Sequence, residues 1–448
     1  MPHRIFNLAL VCVCSSASFA ASAPAVLFEG ARLIVDTRRP PIENAAFLVE
    51  NGRIVKVGKK GAVQPPAGAV RMDLSGKTVI PALIDAHVHL GYQKDLVYSA
   101  GNFTRENVID QLNRYAYCGV AAVMSLGTDL GDLPFELRAE QAAGKLGGAL
   151  YRTAGRGVAA PNAGPGTPEL KPSAYGVATE DEARRAVREQ IAKKVDFIKI
   201  WVDDRSGTVN KLSPALYRAV IDEAHKHGTR VIAHVYYLDD AKDLVRAGID
   251  GFAHLVRDRE MDDEVIALIK QKNVLVMPNL AISENGTHVE APMWLDDALL
   301  REVAPAAVID RVKTSYRNRS AEAVERAQKT YRDMQRSLAK LNAAGARIGF
   351  GTDAGAIRDH FYAYTDHREL QLMVNAGMTP AQALTAATVT SADFLRLKDH
   401  GTLDPGKNAD FIVLDANPLD DIANTRKIAK VYLRGQELDR PAIRQSWK

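Results

Sequence analysis

Val79–Gly91 reads VIPALIDAHVHLG, an apolar run whose end carries Asp85, His87 and His89. In an extended strand alternate side chains share a face, so His87 and His89 point the same way and can hold one ion. Working outward, seven more apolar runs read as strands: 120–126, 149–153, 195–202, 230–236, 251–256, 274–280 and 347–352, with 79–86 as the first. Helical patterns lie between most of them, such as EDEARRAVREQIAK (180–193), PALYRAVIDEAHKHG (214–228) and LDDAKDLVRAG (238–248). Eight strand-then-helix units predict an α/β fold, a closed (β/α)8 TIM-like barrel. An open doubly wound sheet is disfavoured, because no G-x-G-x-x-G turn follows the first strand.

The two chain ends speak a different grammar. LFEGARLIVD (27–36) and AAFLVENGRIVKVG (45–58), with a turn at Asn51-Gly52, are short alternating strands. GTLDPGKNADFIVLDANP (401–418) and IAKVYLRGQEL (428–438) repeat the pattern. The reading is one small β-sandwich domain assembled from residues 24–80 and 399–448, with the barrel at 81–398 inserted between them. Residues 281–320 form a long insertion, lid-like in position, before a helix from Ser320 to Ala343.

Composition sets the class. Of 448 residues, 46% are hydrophobic and 25% charged, which excludes collagen-like, low-complexity and disordered chains. Fifty-eight basic against 54 acidic residues leave +4, with no dense basic stretch, so no nucleic-acid partner is expected. Residues 1–20 have the order of a secretory signal: His3 and Arg4, then IFNLALVCVC, then small residues with cleavage after Ala20. The chain is therefore expected to be exported, periplasmic or secreted, without stable membrane insertion. Removal of the signal takes Cys12 and Cys14 and leaves Cys118, so no intramolecular disulfide is expected.

Polar residues gather at the predicted strand ends. The first ends at His87 and His89. The fourth holds Lys199 between apolar neighbours, the fifth ends at His234, the sixth at His254 and the eighth at Asp353. Each alone has an ordinary explanation: a lone buried histidine is hydrogen-bonded core, and a terminal aspartate caps the next helix. A lysine buried in an apolar strand must be paired, neutralised or modified. Together, four histidines, one lysine and one aspartate facing one barrel mouth point to bound metal. Asp85 reads as a support for His87 rather than a ligand. His225 and His227 fall at the opposite end of the barrel and read as surface or helix-capping residues.

This constellation resembles the binuclear amidohydrolase superfamily. VIPALIDAHVHLG, KIWVDD (199–204), GTDAG (351–355) and GTLDPGKNADFIVLD (401–415) are similar to its prolidase-like and imidazolonepropionase-like branch, which includes Xaa-Arg and Xaa-Pro dipeptidases and ochratoxin-hydrolysing amidases. The resemblance implies two divalent metal ions, zinc the first choice, held by His87, His89, Lys199, His234, His254 and Asp353. It implies that Lys199 is carbamylated and bridges the ions. It also implies that a bridging hydroxide attacks the amide and that Asp353 is the catalytic proton shuttle. The implied enzyme is a metal-dependent hydrolase of C–N bonds, a carboxypeptidase or dipeptidase acting on N-acyl amino acids or dipeptides with a free carboxylate, ochratoxin-type compounds among them. Such relatives are homo-oligomers by habit. Tyr236 stands where they hold the substrate carboxylate. The loop after the third strand, 155–169, lacks their histidine, and Asn162 is the candidate replacement. Arg257 and His288 complete the candidate substrate contacts. The alternative on the same site is hydrolysis of cyclic amides, lactones, carbamates or organophosphate esters. Lys199 argues against a mononuclear deaminase, and the complete ligand set against a metal-free scaffold.

Overall fold

The computed structural model describes residues 24–447. The predicted leader, with its cleavage after Ala20, lies outside the described residues.

The chain ends fold into two sheets. Arg53–Lys59, Ala45–Glu50, Val26–Glu29 and Val70–Asp73 make one, in that order. Arg32–Leu33, Thr78–Pro81, Phe411–Leu414, Ile428–Leu433 and Gln436–Glu437 make the other, so strands from both ends of the chain share a sheet. Phe28 and Phe47 from the first sheet meet Phe411 and Tyr432 from the second. Phe28 and Phe47 stack at 4.8 Å, Phe47 meets Phe411 edge-on at 5.2 Å, and Phe411 stacks on Tyr432 at 4.5 Å. The alternating apolar residues of both ends meet here, and each buried aromatic removes ~150–250 Å² from water.

The middle of the chain is built of parallel strands covered by helices. Leu83–Val88, Val120–Ser125 and Leu150–Thr153 form one parallel sheet. Gly157–Ala159, Ile198–Val202, Val231–Val235, Gly251–Phe252 and Leu275–Val276 run side by side in another, with Ala174–Gly176 at its edge. Residues 347–354 hydrogen-bond to both: Gly349 N to Val276 O on one side, Ala86 N to Phe350 O and His89 N to Ala354 O on the other. The helices start and stop where sequence signals place them. Thr179 and Glu182 form a capping box for Glu180–Ala192, Ser320 caps Ala321–Ala343, and left-handed Gly248 ends Leu238–Ala247. His227 caps Pro214–Lys226, and His225 pairs with Asp250 at 2.8 Å.

Two strand expectations need correction. The first run divides at Ala82. Thr78–Pro81 pairs antiparallel with Phe411–Leu414, and only Leu83–Val88 joins the parallel sheet. The eighth run, 347–352, contributes one isolated bridge instead of a strand, Ile348 with Val276, and Ala354 just beyond it bridges to Val88. Gly349 and Gly351 explain this, since glycine weakens a strand but admits close approach. A Cβ on Gly351 would stand 2.7 Å from His87 Cβ. The insertion at 281–320 carries three short helices, Leu280–Glu284, Ala298–Val303 and Ala306–Ser315. It is well packed, burying Leu295, Leu299, Leu300, Val308 and Val312. Glu284 ties it to Arg368 with Nε–Oε2 at 2.9 Å. No described helix is long and apolar enough to cross a membrane, and Cys118 is buried and free.

Candidate active site

His87 and His89 lie at the end of Leu83–Val88, and their rings stand 5.1 Å apart. Across from them, Asp353 Oδ1 is 3.1 Å from His87 Nε2 and 2.9 Å from His89 Nε2. One donor atom from each of the three lies within 4.8 Å of the others, and all three residues are buried. His254 Nε2 is 3.9 Å from Asp353 Oδ2, and the His254 ring is 4.6 Å from that of His234. Lys199, 1% exposed, makes no ion pair within 4 Å among the described residues. All six residues line one cavity of about 150 Å³.

The outer contacts set the imidazole tautomers. His89 Nδ1 meets Thr128 Oγ1 at 2.7 Å, leaving Nε2 toward Asp353. His87 Nδ1 meets Ala253 O at 3.2 Å and the Asn279 amide at 2.6 Å. Asn279 Oδ1 is buried without a partner, so the amide is satisfied when turned to accept from His87 Nδ1–H. His87 Nε2 is then a buried nitrogen with no hydrogen-bond donor to meet it. Burial holds His87 and His254 well below the usual histidine range and pushes His234 down to about 3, so all three are neutral imidazoles. Burial pushes the Asp353 carboxyl up, but His87 and His89 outweigh it and hold it below the usual carboxylate range. Burial brings the Lys199 ammonium down to about 7, against the pull of Asp353. The His87 imidazole with its free Nε2, His89 beside it and the ionised Asp353 carboxylate fit a divalent cation, whereas His234 Nε2 already faces Asp203 and Arg257.

Glycine makes the room. A Cβ on Gly127, at φ +91°, would stand 2.6 Å from Lys199 Cγ. Asp353 itself sits at φ +58°, a left-handed conformation at the turn that aims its carboxylate at the histidines.

The substrate side is distributed less as expected. Arg257 lines the cavity, with Nη2 3.2 Å from His234 Nε2 and a buried Nε without a partner. Tyr236 packs edge-on against Tyr237 at 4.9 Å, under the Arg257 guanidinium at 5.2 Å. Asn162 is exposed at φ +62°, and His288 turns toward Glu284 at 3.3 Å; neither lines the cavity. Sequence reading missed Arg205, which lines it and pairs with Asp203 at 2.9 Å, and Asp203 in turn meets His234 Nε2 at 3.1 Å. Trp201, Leu170, Ile282 and Ile357 give the cavity apolar wall.

Behind the histidines lies a buried acidic pair. Asp85 accepts from His87 N at 2.9 Å and Thr352 Oγ1 at 2.6 Å, joining the two segments that carry His87 and Asp353. Asp366, on helix Tyr364–Asn375, is fully buried, and neither of its oxygens meets a donor. Burial, and then the facing Asp85, push Asp366 well above the usual carboxylate range, so it keeps its proton. A raised folded pKa means that the folded chain binds more protons than the unfolded one above about pH 4, and stability falls as pH rises through that window. Asp366→Asn, which stays neutral, is therefore expected to gain on the wild type by about 1 kcal/mol or more between pH 5 and pH 8. Urea melts at the two pH values check this; a gain that shrinks with pH contradicts it.

The chain belongs to the amidohydrolase family, whose model matches residues 78–438. It is 25% identical over 465 residues to an ochratoxinase of Aspergillus niger, covering 92% of this chain and 86% of that one. It is 26% identical over 418 residues to an imidazolonepropionase of Deinococcus radiodurans, covering 89% and 92%. Among solved structures, a Bifidobacterium longum protein described as a prolidase superposes with a TM-score of 0.74 at 27% identity, covering 94% of this chain and 98% of that one. The chain thus falls in the prolidase-like and imidazolonepropionase-like branch of the superfamily and is a hydrolase of C–N bonds. A TIM-like barrel with a small β-sandwich is the fold that these neighbours imply, and a divalent metal is the cofactor that the family generally uses.

Proposed function

We propose that the chain cleaves the amide bond of N-acyl amino acids or dipeptides that bear a free carboxylate, ochratoxin-type compounds included. The observation that carries this is Arg257: a guanidinium on the cavity wall, with a buried Nε that has no partner and no carboxylate within 4 Å among the described residues. A buried cation of this kind calls for an anion, and a substrate carboxylate supplies it bidentately.

Two divalent ions, zinc by preference, would be held by His87, His89 and Asp353 on the buried side, by His234 and His254 on the outer side, and by a carbamylated Lys199 between. When bound, they supply a water acidic enough to react near neutral pH and polarise the scissile carbonyl. Asp353 takes the proton of the attacking water and passes it to the leaving nitrogen. Arg257, with Tyr236 beneath it, holds the leaving amino acid by its carboxylate. The apolar wall of Trp201, Leu170, Ile282 and Ile357 receives the acyl group. The fold that serves this is a closed (β/α)8 barrel (81–398) inserted in a sandwich domain made from both ends. An export signal removed after Ala20, a lid role for 281–320 and a homo-oligomeric assembly belong to the same proposal; N-terminal sequencing of the secreted chain tests the first.

Arg257→Gln tests the substrate reading. A hydrogen-bonded charge contributes about 1.5–3 kcal/mol, so KM for N-acyl amino acids should rise about 10- to 150-fold. The matching amino-acid amides, which lack the carboxylate, should be poor substrates for the wild type and barely change. Equal loss on acids and amides would remove the carboxylate role. Turnover of only cyclic amides, carbamates or phosphotriesters would move the reading to the alternative.

A further inference from the structure

A second cavity, of about 360 Å³, lies at the opposite end of the parallel strands. Arg230, just before strand Val231–Val235, lines it, and His234, near the other end of that strand, lines the first cavity, ~13 Å away at about 3.3 Å per residue. Phe394, Leu395 and Leu397 pack with Phe197 and Ile232 in a buried cluster between the two ends. The cavity is therefore separate from the metal cluster.

Its charge is one-sided. Arg38, Arg230, Arg396, Lys398 and Lys407 line it, against only Asp393 and Asp404. Both carboxylates are already engaged, Asp393 by Arg347 and Asp404 by Arg39 at 2.7 Å. Arg38 is held by Asp36 at 2.6 Å. The other four cations make no ion pair within 4 Å among the described residues. Arg230 donates to Phe394 O, Arg396 to Gly228 O and Lys407 to Lys398 O, so three of them lean on backbone carbonyls alone. Burial and the neighbouring Arg396 and Arg347 lower the Arg230 pKa, a sign of how crowded the cations are. The Thr402 hydroxyl, buried and without a partner, lines the same space, and Val389, Ala392 and Leu397 give it an apolar side. Four cations without an ion-pair partner among the described residues thus share one space, and a bound anion would neutralise them.

We propose that this cavity binds a small organic molecule carrying two phosphate groups. About four unpaired cations match two phosphate esters, each near −1.5 to −2 at neutral pH. Arginine meets phosphate oxygens bidentately, which favours phosphate over a simple halide or a single carboxylate. The volume lies in the ~300–1,000 Å³ range of small-molecule sites, and the apolar side seats the organic part. The walls come from the parallel-strand region (Arg230, Arg396) and from segments beside the end sheets (Arg38, Lys407), so the ligand would join the two.

The test is equilibrium dialysis of the metal-loaded full chain with glucose 1,6-bisphosphate. Saturable binding of one molecule per chain is expected, with Kd at least tenfold weaker in Arg396→Gln/Lys398→Gln. Lys398→Glu alone should weaken it severalfold; Lys398 is exposed and makes no side-chain hydrogen bond among the described residues, so this variant keeps its fold. Metal content should be unchanged in both. Binding that survives both variants, or that vanishes when metal alone is removed, would overturn the proposal. So would equal displacement by sulfate at matched ionic strength, or binding to phosphatidylglycerol vesicles that the bisphosphate does not compete away. The readout is ligand binding, so it is independent of the hydrolytic reading.

Discussion

Replacing Lys199 with alanine is expected to lower kcat/KM at least about 1,000-fold, ~4 kcal/mol of transition-state stabilisation, and to leave the purified chain with less metal. The side chain is buried against the cavity, with Gly127 giving it room and no acidic group within ion-pairing distance among the described residues. A lysine so placed is destabilising as a cation, and an alanine there removes that burden while leaving a small void. The fold should therefore persist, and thermal melts of metal-free wild type and variant should be similar. The loss would then be a loss of the bridge between the two ions. Bicarbonate with short carboxylic acids, small enough for the void, should restore some of the activity. Metal analysis and kinetics on the same preparation check the prediction. Full activity with alanine would sink the bridging role.

The sequence made the strand ends legible because period-2 alternation is local. His87 and His89 on one face need no knowledge of the rest of the fold. The same holds for the helical pattern at 180–193 and the helix from Ser320. What was not legible depends on which strands become neighbours. Asp203 reads as a loop residue. It reaches His234 because Ile198–Val202 pairs with Val231–Val235, with Trp201 opposite His234. Arg205, paired with Asp203, then reaches the cavity wall. Asn279 meets His87 from 192 positions away. Asp366, His367 and Glu369 would be read as the polar side of a helix, yet all three are buried, because that helix packs behind the metal-facing segments. The broken eighth strand was only half legible: Gly349 and Gly351 were in view, but their closeness to Leu275 and His87 was not. A histidine in an insertion looks available in the sequence; in the fold His288 lies off the cavity lining, with its ring toward Glu284 one turn before it.

Asp353→Asn is expected to cut kcat by about 10²–10⁴-fold with little change in KM. The substitution keeps the shape and an oxygen that can face a cation, but it removes the negative charge along with the ability to take a proton, so metal content is measured beside kcat. Asparagine is also the right replacement for the backbone. Asp353 sits at φ +58°, where asparagine and aspartate are better tolerated than other side chains. Asp353→Ala would add strain at the turn and confound the result. The His360 Nδ1 contact to Asp353 O at 3.2 Å involves the backbone and survives the change. Because His87 and His89 keep the wild-type carboxyl ionised, the loss should be nearly constant from pH 6 to pH 8, not a shifted limb of the pH profile. A variant that kept most of its metal and lost its turnover would separate proton transfer from ligation. A variant with wild-type kcat would mean that another group moves the proton. Among the other ionisable side chains lining the cavity, burial holds His87, His234 and His254 below the usual histidine range, so they accept a proton poorly, and Lys199, brought down to about 7, is the group to test next.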